Sequence, residues 1–164
     1  MNRRDFTNIG LFTLVASLGI LTWLQPGPIP EEPMPPLTML DPKQVESIEL
    51  AARNGEALTL EKRNGSWQMI QPHAAKANDP KIERLLEIAH TASTERFPLP
   101  DGERTQFGLD PPMAELRLDG TRLEIGGTHP IDHRRYVLVD NTLHLINDRF
   151  AHHLLAPAKD YTMP

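Results

Sequence analysis

The sequence predicts an α+β domain of antiparallel sheet meanders with two covering helices, preceded by one N-terminal transmembrane helix and a proline-rich linker. Three observations carry this. Nineteen residues from Phe6 to Leu24 contain no charge. Seven of the sixteen prolines fall between Gln25 and Pro42. Beyond them, apolar residues alternate in short runs separated by Asn-Gly and Asp-Gly, and helical spacing appears only in two places.

About 20 apolar residues cross a hydrocarbon core of roughly 30 Å, so Phe6–Leu24 is long enough to span a bilayer. Arg3 and Arg4 precede it, and Trp23 sits at the far end, where an amphipathic ring prefers the headgroup layer. Basic residues stay on the cytoplasmic side. The N-terminus is therefore expected in the cytoplasm, with residues 25–164 outside it. A cleaved signal peptide is the competing reading, but no small-x-small site follows the apolar stretch. Arg3-Arg4-Asp5-Phe6 also echoes a twin-arginine export signal. Ala16 and Gly19 lie three apart, which leaves one helix face shallow enough to pack against another helix.

The linker carries Pro26, Pro28, Pro30, Pro33, Pro35, Pro36 and Pro42. Such a run favours extended polyproline II. From Gln25 to Pro36 it makes a spacer of roughly 35–40 Å. The expected organisation is a cytoplasmic tip and anchor over 1–24, a linker over 25–42, and a domain over 43–164 on the far side of the membrane.

The domain opens as a meander. Gln44–Ala51, Glu56–Lys62 and Ser66–Ile70 alternate Ile48/Leu50, Leu58/Leu60 and Trp67/Met69 against polar neighbours. Asn54-Gly55 and Asn64-Gly65 supply tight turns between them. A helix over Pro80–Thr94 follows, capped by Asn78 or Asp79, with Ile82, Leu85, Leu86, Ala89 and Ala92/Ser93 on one face. Glu95–Leu99 reads as a strand, and Thr105-Gln106-Phe107 as a helical turn. Four more strands are expected at Ala114–Leu118, Arg122–Ile125, Arg135–Val139 and Thr142–Ile146, turned at Asp119-Gly120 and Asp140-Asn141. A short helix from Asp148 to Ala156 ends the pattern. Adjacent strands joined by hairpins mean an antiparallel sheet, with two related halves as an option.

The composition excludes several functions. Seventeen basic and 22 acidic residues give a net charge of −5 without a Lys/Arg block, so nucleic acid is not an expected partner. Cysteine is absent, which removes disulfides, thiolate sites and Cys nucleophiles. Seven histidines invite a metal, and His129 and His133 share a loop with Asp132. No spacing forces further ligands to converge there, so no metal and no cofactor is expected. His144 alternates with Leu143 and Leu145 and is expected to face solvent. No serine lies in a Gly-x-Ser-x-Gly turn, and no phosphate-binding loop occurs. The sequence supports no catalytic residues and no enzyme.

Two segments exceed plain hairpin grammar. In Phe107-Gly108-Leu109-Asp110-Pro111-Pro112, an aromatic and an aliphatic residue flank a glycine before a double proline. Arg134-Arg135-Tyr136 leads into a strand. Each is either packing for the sheet or a partner contact, because aromatic and Arg side chains dominate interface energies. The candidate contacts are Ala16 and Gly19 in the anchor, and Phe107, Leu109, Asp110, Arg134, Arg135 and Tyr136 in the domain.

In order along the chain, Ile48-Glu49-Leu50, Trp67-Gln68-Met69-Ile70-Gln71-Pro72, the helix after Asn78-Asp79, Phe107–Pro112, Leu123-Glu124-Ile125-Gly126 and Arg135-Tyr136-Val137 carry a resemblance. The chain resembles an uncharacterised bacterial domain family also found in auxiliary proteins of gliding-motility-type ABC transporters. The resemblance covers nearly all of residues 44–160. It implies an N-terminal anchoring helix and a periplasmic domain, and it brings no established catalytic residues. The expected function is a single-pass membrane-anchored accessory or scaffold subunit of an envelope complex, in contact with lipid through Phe6–Leu24 and with other protein subunits. The alternatives are a ligand-engaging auxiliary component of an ABC-type transport system and a metal-dependent enzyme.

Overall fold

The computed structural model describes residues 3–24 and 34–163, within two units, 1–33 and 34–164. The first unit is helix α1 (Arg3–Leu24). Its described side chains are Asn8 and residues 10–23, and all are exposed, with Phe12 at 82% and Trp23 at 89%. Ser17 Oγ donates to Leu14 O at 2.8 Å, and Thr22 Oγ1 donates to Leu18 O at 2.8 Å. The helix thus satisfies these hydroxyls internally. Among the described residues, no helix is long and apolar enough to cross a membrane. The expected span Phe6–Leu24 reaches beyond the side chains described. Residues 25–33, most of the expected spacer, also lie outside the described residues.

In the second unit, nine strands form one sheet: β1 (Ser47–Ala52), β2 (Leu58–Arg63), β3 (Ser66–Gln71), β4 (Ala75–Lys76), β5 (Glu95–Pro98), β6 (Ala114–Leu118), β7 (Thr121–Thr128), β8 (Arg135–Val139) and β9 (Thr142–Ile146). The order is β4-β3-β2-β1-β6-β7-β8-β9-β5, and every paired neighbour is antiparallel. Two meanders therefore run outward from the central β1–β6 pair, where Leu50 faces Leu116. They join in one continuous sheet. Asn64, Gly65, Asp119, Gly120 and Asp140 all take positive φ, as two-residue hairpin turns require. The first expected turn differs. Asn54 and Gly55 do not adopt positive φ, and residues 53–57 form a longer loop.

Helix α2 (Asp79–Leu86) and a 3-10 turn over Glu87–His90 carry the chain between the two edges of the sheet. Asn78 caps α2, its side chain accepting from Lys81 N at 3.3 Å. Ile82, Leu85, Leu86, Ile88 and Ala89 are buried, as the helical spacing predicts. The helix does not reach Thr94, however. A strap formed by Pro35–Thr38 competes for the backbone there. Leu37 N donates to Thr91 O at 2.8 Å, and Ser93 N donates to Pro35 O at 3.0 Å. Leu37 and Thr38 are buried, so the last part of the expected linker is fastened to the domain.

Helix α3 is also shorter than expected, Ala151–Leu154, because Asp148 is drawn into an ion pair with Arg135. The strand β4 and a 3-10 turn over Ala158–Tyr161 carry no clear sequence signal. Tyr161 is buried, its hydroxyl donates to His153 O, and burial raises its pKa. The main core joins the sheet to α2, the 3-10 turn after it, α3 and the strap. A second, smaller cluster builds on Leu109, Leu138 and Leu143.

Candidate functional site

The second cluster brings together three of the sequence-predicted contacts, Phe107, Leu109 and Tyr136, and glycine makes this possible. Gly108 adopts φ +67°, and a Cβ on it would sit 2.6 Å from Gly127 N. A Cβ on Gly126 would sit 2.4 Å from Phe107 O. The Phe107–Pro112 turn thus lies directly against the β7 backbone, closer than any side chain would allow. Leu109, 1% exposed, fills the space beneath, and the Asp110–Pro111 bond is cis. Arg104, on the 3-10 turn Arg104–Phe107, pairs with buried Glu124 and donates to Leu109 O at 3.2 Å. Arg53 donates to Pro111 O and, at 3.1 Å, to Pro112 O. Two guanidinium groups therefore hold the turn by its carbonyls.

Aromatic rings run along this cluster. Phe107 lies 6.1 Å from Phe97 and meets Tyr136 edge-on at 5.0 Å; Tyr136 in turn meets His129 at 5.8 Å. All four are partly exposed, an arrangement that combines packing with an accessible aromatic rim. Burial raises the Tyr136 pKa.

Beside the rings, residues 129–134 form a clamped loop. His129 N donates to Arg134 O at 2.7 Å, and His133 N donates to His129 O at 3.1 Å. Asp132 pairs with His129 Nδ1 at 2.9 Å and with Arg134 at 2.5 Å. Arg134 also pairs with Glu95 at 2.6 Å. The hydrogen bond from Arg134 holds the Asp132 carboxyl at a pKa of about 2. The clamp is thus present above that range and lost as pH falls through it. At the loop's tip Ile131 is 83% exposed.

Of the expected contacts, Phe107, Arg134 and Tyr136 are partly exposed and Asp110 is exposed. Leu109 and Arg135 have internal roles instead. Arg135 donates to Gly126 O at 3.0 Å and pairs with Asp148, tying β8 to the approach to α3. Ala16 and Gly19 are exposed on α1. Ile131, Arg104 and Glu124 were not legible as site residues: a lone Ile beside a proline carries no periodicity, and an ion pair across 20 residues has no local signature.

His144 corrects an expectation. It is 5% exposed, with Nδ1 2.9 Å from the buried Ser93 Oγ. The sheet is covered on both faces at β9, so alternation there does not separate core from solvent. Among the described residues, no group of three or more His, Asp or Glu side chains is arranged to hold a metal ion.

A family model described as "Domain of unknown function (DUF4340)" matches residues 67–162, which contain the whole Phe107–Pro112 turn, the glycine pair and Arg134–Tyr136. The chain belongs to that family. The DUF4340 match runs from Trp67 in β3 past β9, so the docked turn and its aromatic rim are part of the matched region, whereas β1 and β2 precede it. No curated protein and no solved structure matches the chain.

Proposed function

We propose that this DUF4340 protein is a single-pass inner-membrane protein that displays its α+β domain in the bacterial periplasm as an accessory or scaffold subunit of an envelope complex. The observation that carries the reading is α1. Its described apolar side chains are exposed and two of its hydroxyls are bonded to its own carbonyls, a surface suited to lipid and not to water. The uncharged stretch Phe6–Leu24 continues that surface in sequence, behind Arg3 and Arg4. The partly exposed aromatic rim and the rigid Ile131 tip supply protein-contact chemistry, since a pre-ordered loop loses little entropy on docking.

Co-purification from membranes in mild detergent tests the reading. Specific companions of the wild-type chain are expected to be lost with Gly19→Leu in α1 or with Ile131→Asp at the loop tip. If the same companions remain with both variants while the domain stays folded, neither surface is an interface.

A second reading, a ligand-engaging auxiliary component of an ABC-type transporter, is favoured by one feature. A depression of about 520 Å³ on the open sheet face is lined by Glu49, Thr59, Gln71, Glu115 and Arg117 among others. A small polar ligand seated there raises the melting temperature in proportion to the logarithm of its concentration.

A further inference from the structure

The Pro35–Thr38 strap is tied down by residues that also adjoin one imidazole, Ser93 and Arg96, the latter the strand partner of His144. Leu37 N donates to Thr91 O at 2.8 Å, Thr38 N to Ala89 O at 2.9 Å, and Ser93 N to Pro35 O at 3.0 Å. Arg96, on β5, donates to Pro35 O at 3.3 Å and to Pro36 O at 3.2 Å. The buried Ser93 Oγ lies 2.9 Å from His144 Nδ1 and donates to Glu95 O at 3.1 Å. The residues that secure the strap, Ser93 and Arg96, therefore also adjoin His144.

The groups facing this imidazole leave a positive charge without compensation. From β8, Val137 is its strand partner; from the 91–94 segment comes the Ser93 hydroxyl; from β5 comes the Arg96 guanidinium. Among the described residues, Arg96 is the charged side chain that acts on His144. Glu95, the nearby carboxylate on β5, is committed to Arg134.

We propose that His144 is an acid-sensitive latch for the strap: protonating its imidazole sets a second positive charge against Arg96 and loosens Pro35–Thr38 from the domain. The sign follows from the environment. Burial, and secondarily Arg96, hold the His144 pKa below its ordinary 6.5. Above 6.5 the imidazole is neutral whether the strap is fastened or open. Below it, an open strap exposes an imidazole that takes up the proton the fastened state resists, so opening gains until the lowered pKa is reached. The inference concerns the domain alone and stands independently of the membrane reading.

Amide hydrogen exchange on the full chain in detergent micelles, corrected for intrinsic rates, tests the latch between about pH 7.5 and about pH 5, the range in which His titrates. Opening at the Leu37 and Thr38 amides is expected to rise about tenfold for each pH unit below 6.5 in which one proton is linked. The Met163 amide, bonded to Lys76 O at 3.0 Å, reports local opening elsewhere and should not follow. His144→Gln flattens the strap's response. His153→Gln leaves it intact, although burial and His152 also lower the His153 pKa. Strap opening that ignores pH, or that keeps its pH dependence in His144→Gln, overturns the proposal. Should His144→Gln not fold, the imidazole titration of the wild-type chain decides: a His144 midpoint at or above 6.5 overturns the latch.

Discussion

Gly126 is one of the residues on which the docked turn depends. A Cβ there would meet Phe107 O at 2.4 Å, a backbone atom that cannot swing away, whereas one on Gly127 would meet nothing closer than 3.5 Å. Gly126→Ala is therefore expected to destabilise the domain by about 2 kcal/mol or more, and Gly127→Ala by well under 1 kcal/mol. Denaturant midpoints of the two variants check this, and equal effects would mean the turn does not rest on β7 as described. At this scale the sequence was partly readable. Phe107 and Leu109 around a glycine mark either packing or a contact, but nothing in the sequence marks the Gly126-Gly127 pair as the surface the turn rests on. His144 is buried where alternation predicts exposure, because a titratable side chain in a short strand carries no mark of which face is covered. Here both faces are, by the Phe107–Pro112 turn on one side and the strap and helices on the other.

Among the elements, β5 occupies an edge of the sheet, where unpaired backbone groups invite another strand. Leu99 N donates to Asn141 O at 3.1 Å. The period of two along the strand puts the amide position of Pro98 on the outward side. Proline has no N–H to offer there. Pro98→Val restores that donor and a β-favouring side chain. The variant is expected to self-associate at concentrations where the wild-type domain does not, as sedimentation velocity would show. At the other edge, β4 is only two residues long and is bordered by a bridge from Ala77 to Thr162. Strands were the most legible elements, since alternation and positive-φ turns are both local. Helix ends were less so. The spacing of Ile82, Leu85, Leu86 and Ala89 extends naturally to Ala92/Ser93, and only the distant strap, bonded at Thr91 and Ser93, explains why the helix stops.

For the whole molecule, an antiparallel α+β fold followed from hairpin-linked strands and a helical interlude. The union of both meanders through β1 and β6, and the return of β5 beside β9, did not, because these pairings join residues far apart in the chain and leave no periodic trace. The proposed role rests on one claim at this scale, that α1 is a membrane anchor which leaves the domain outside the cytoplasm. A phosphatase reporter that folds only outside the cytoplasm, fused after Pro164 of the full chain, tests it most directly. Strong phosphatase activity is expected, sedimenting with membranes and resistant to extraction by high salt. An inactive phosphatase fusion, together with full activity of a cytoplasm-requiring reporter at the same position, would contradict it.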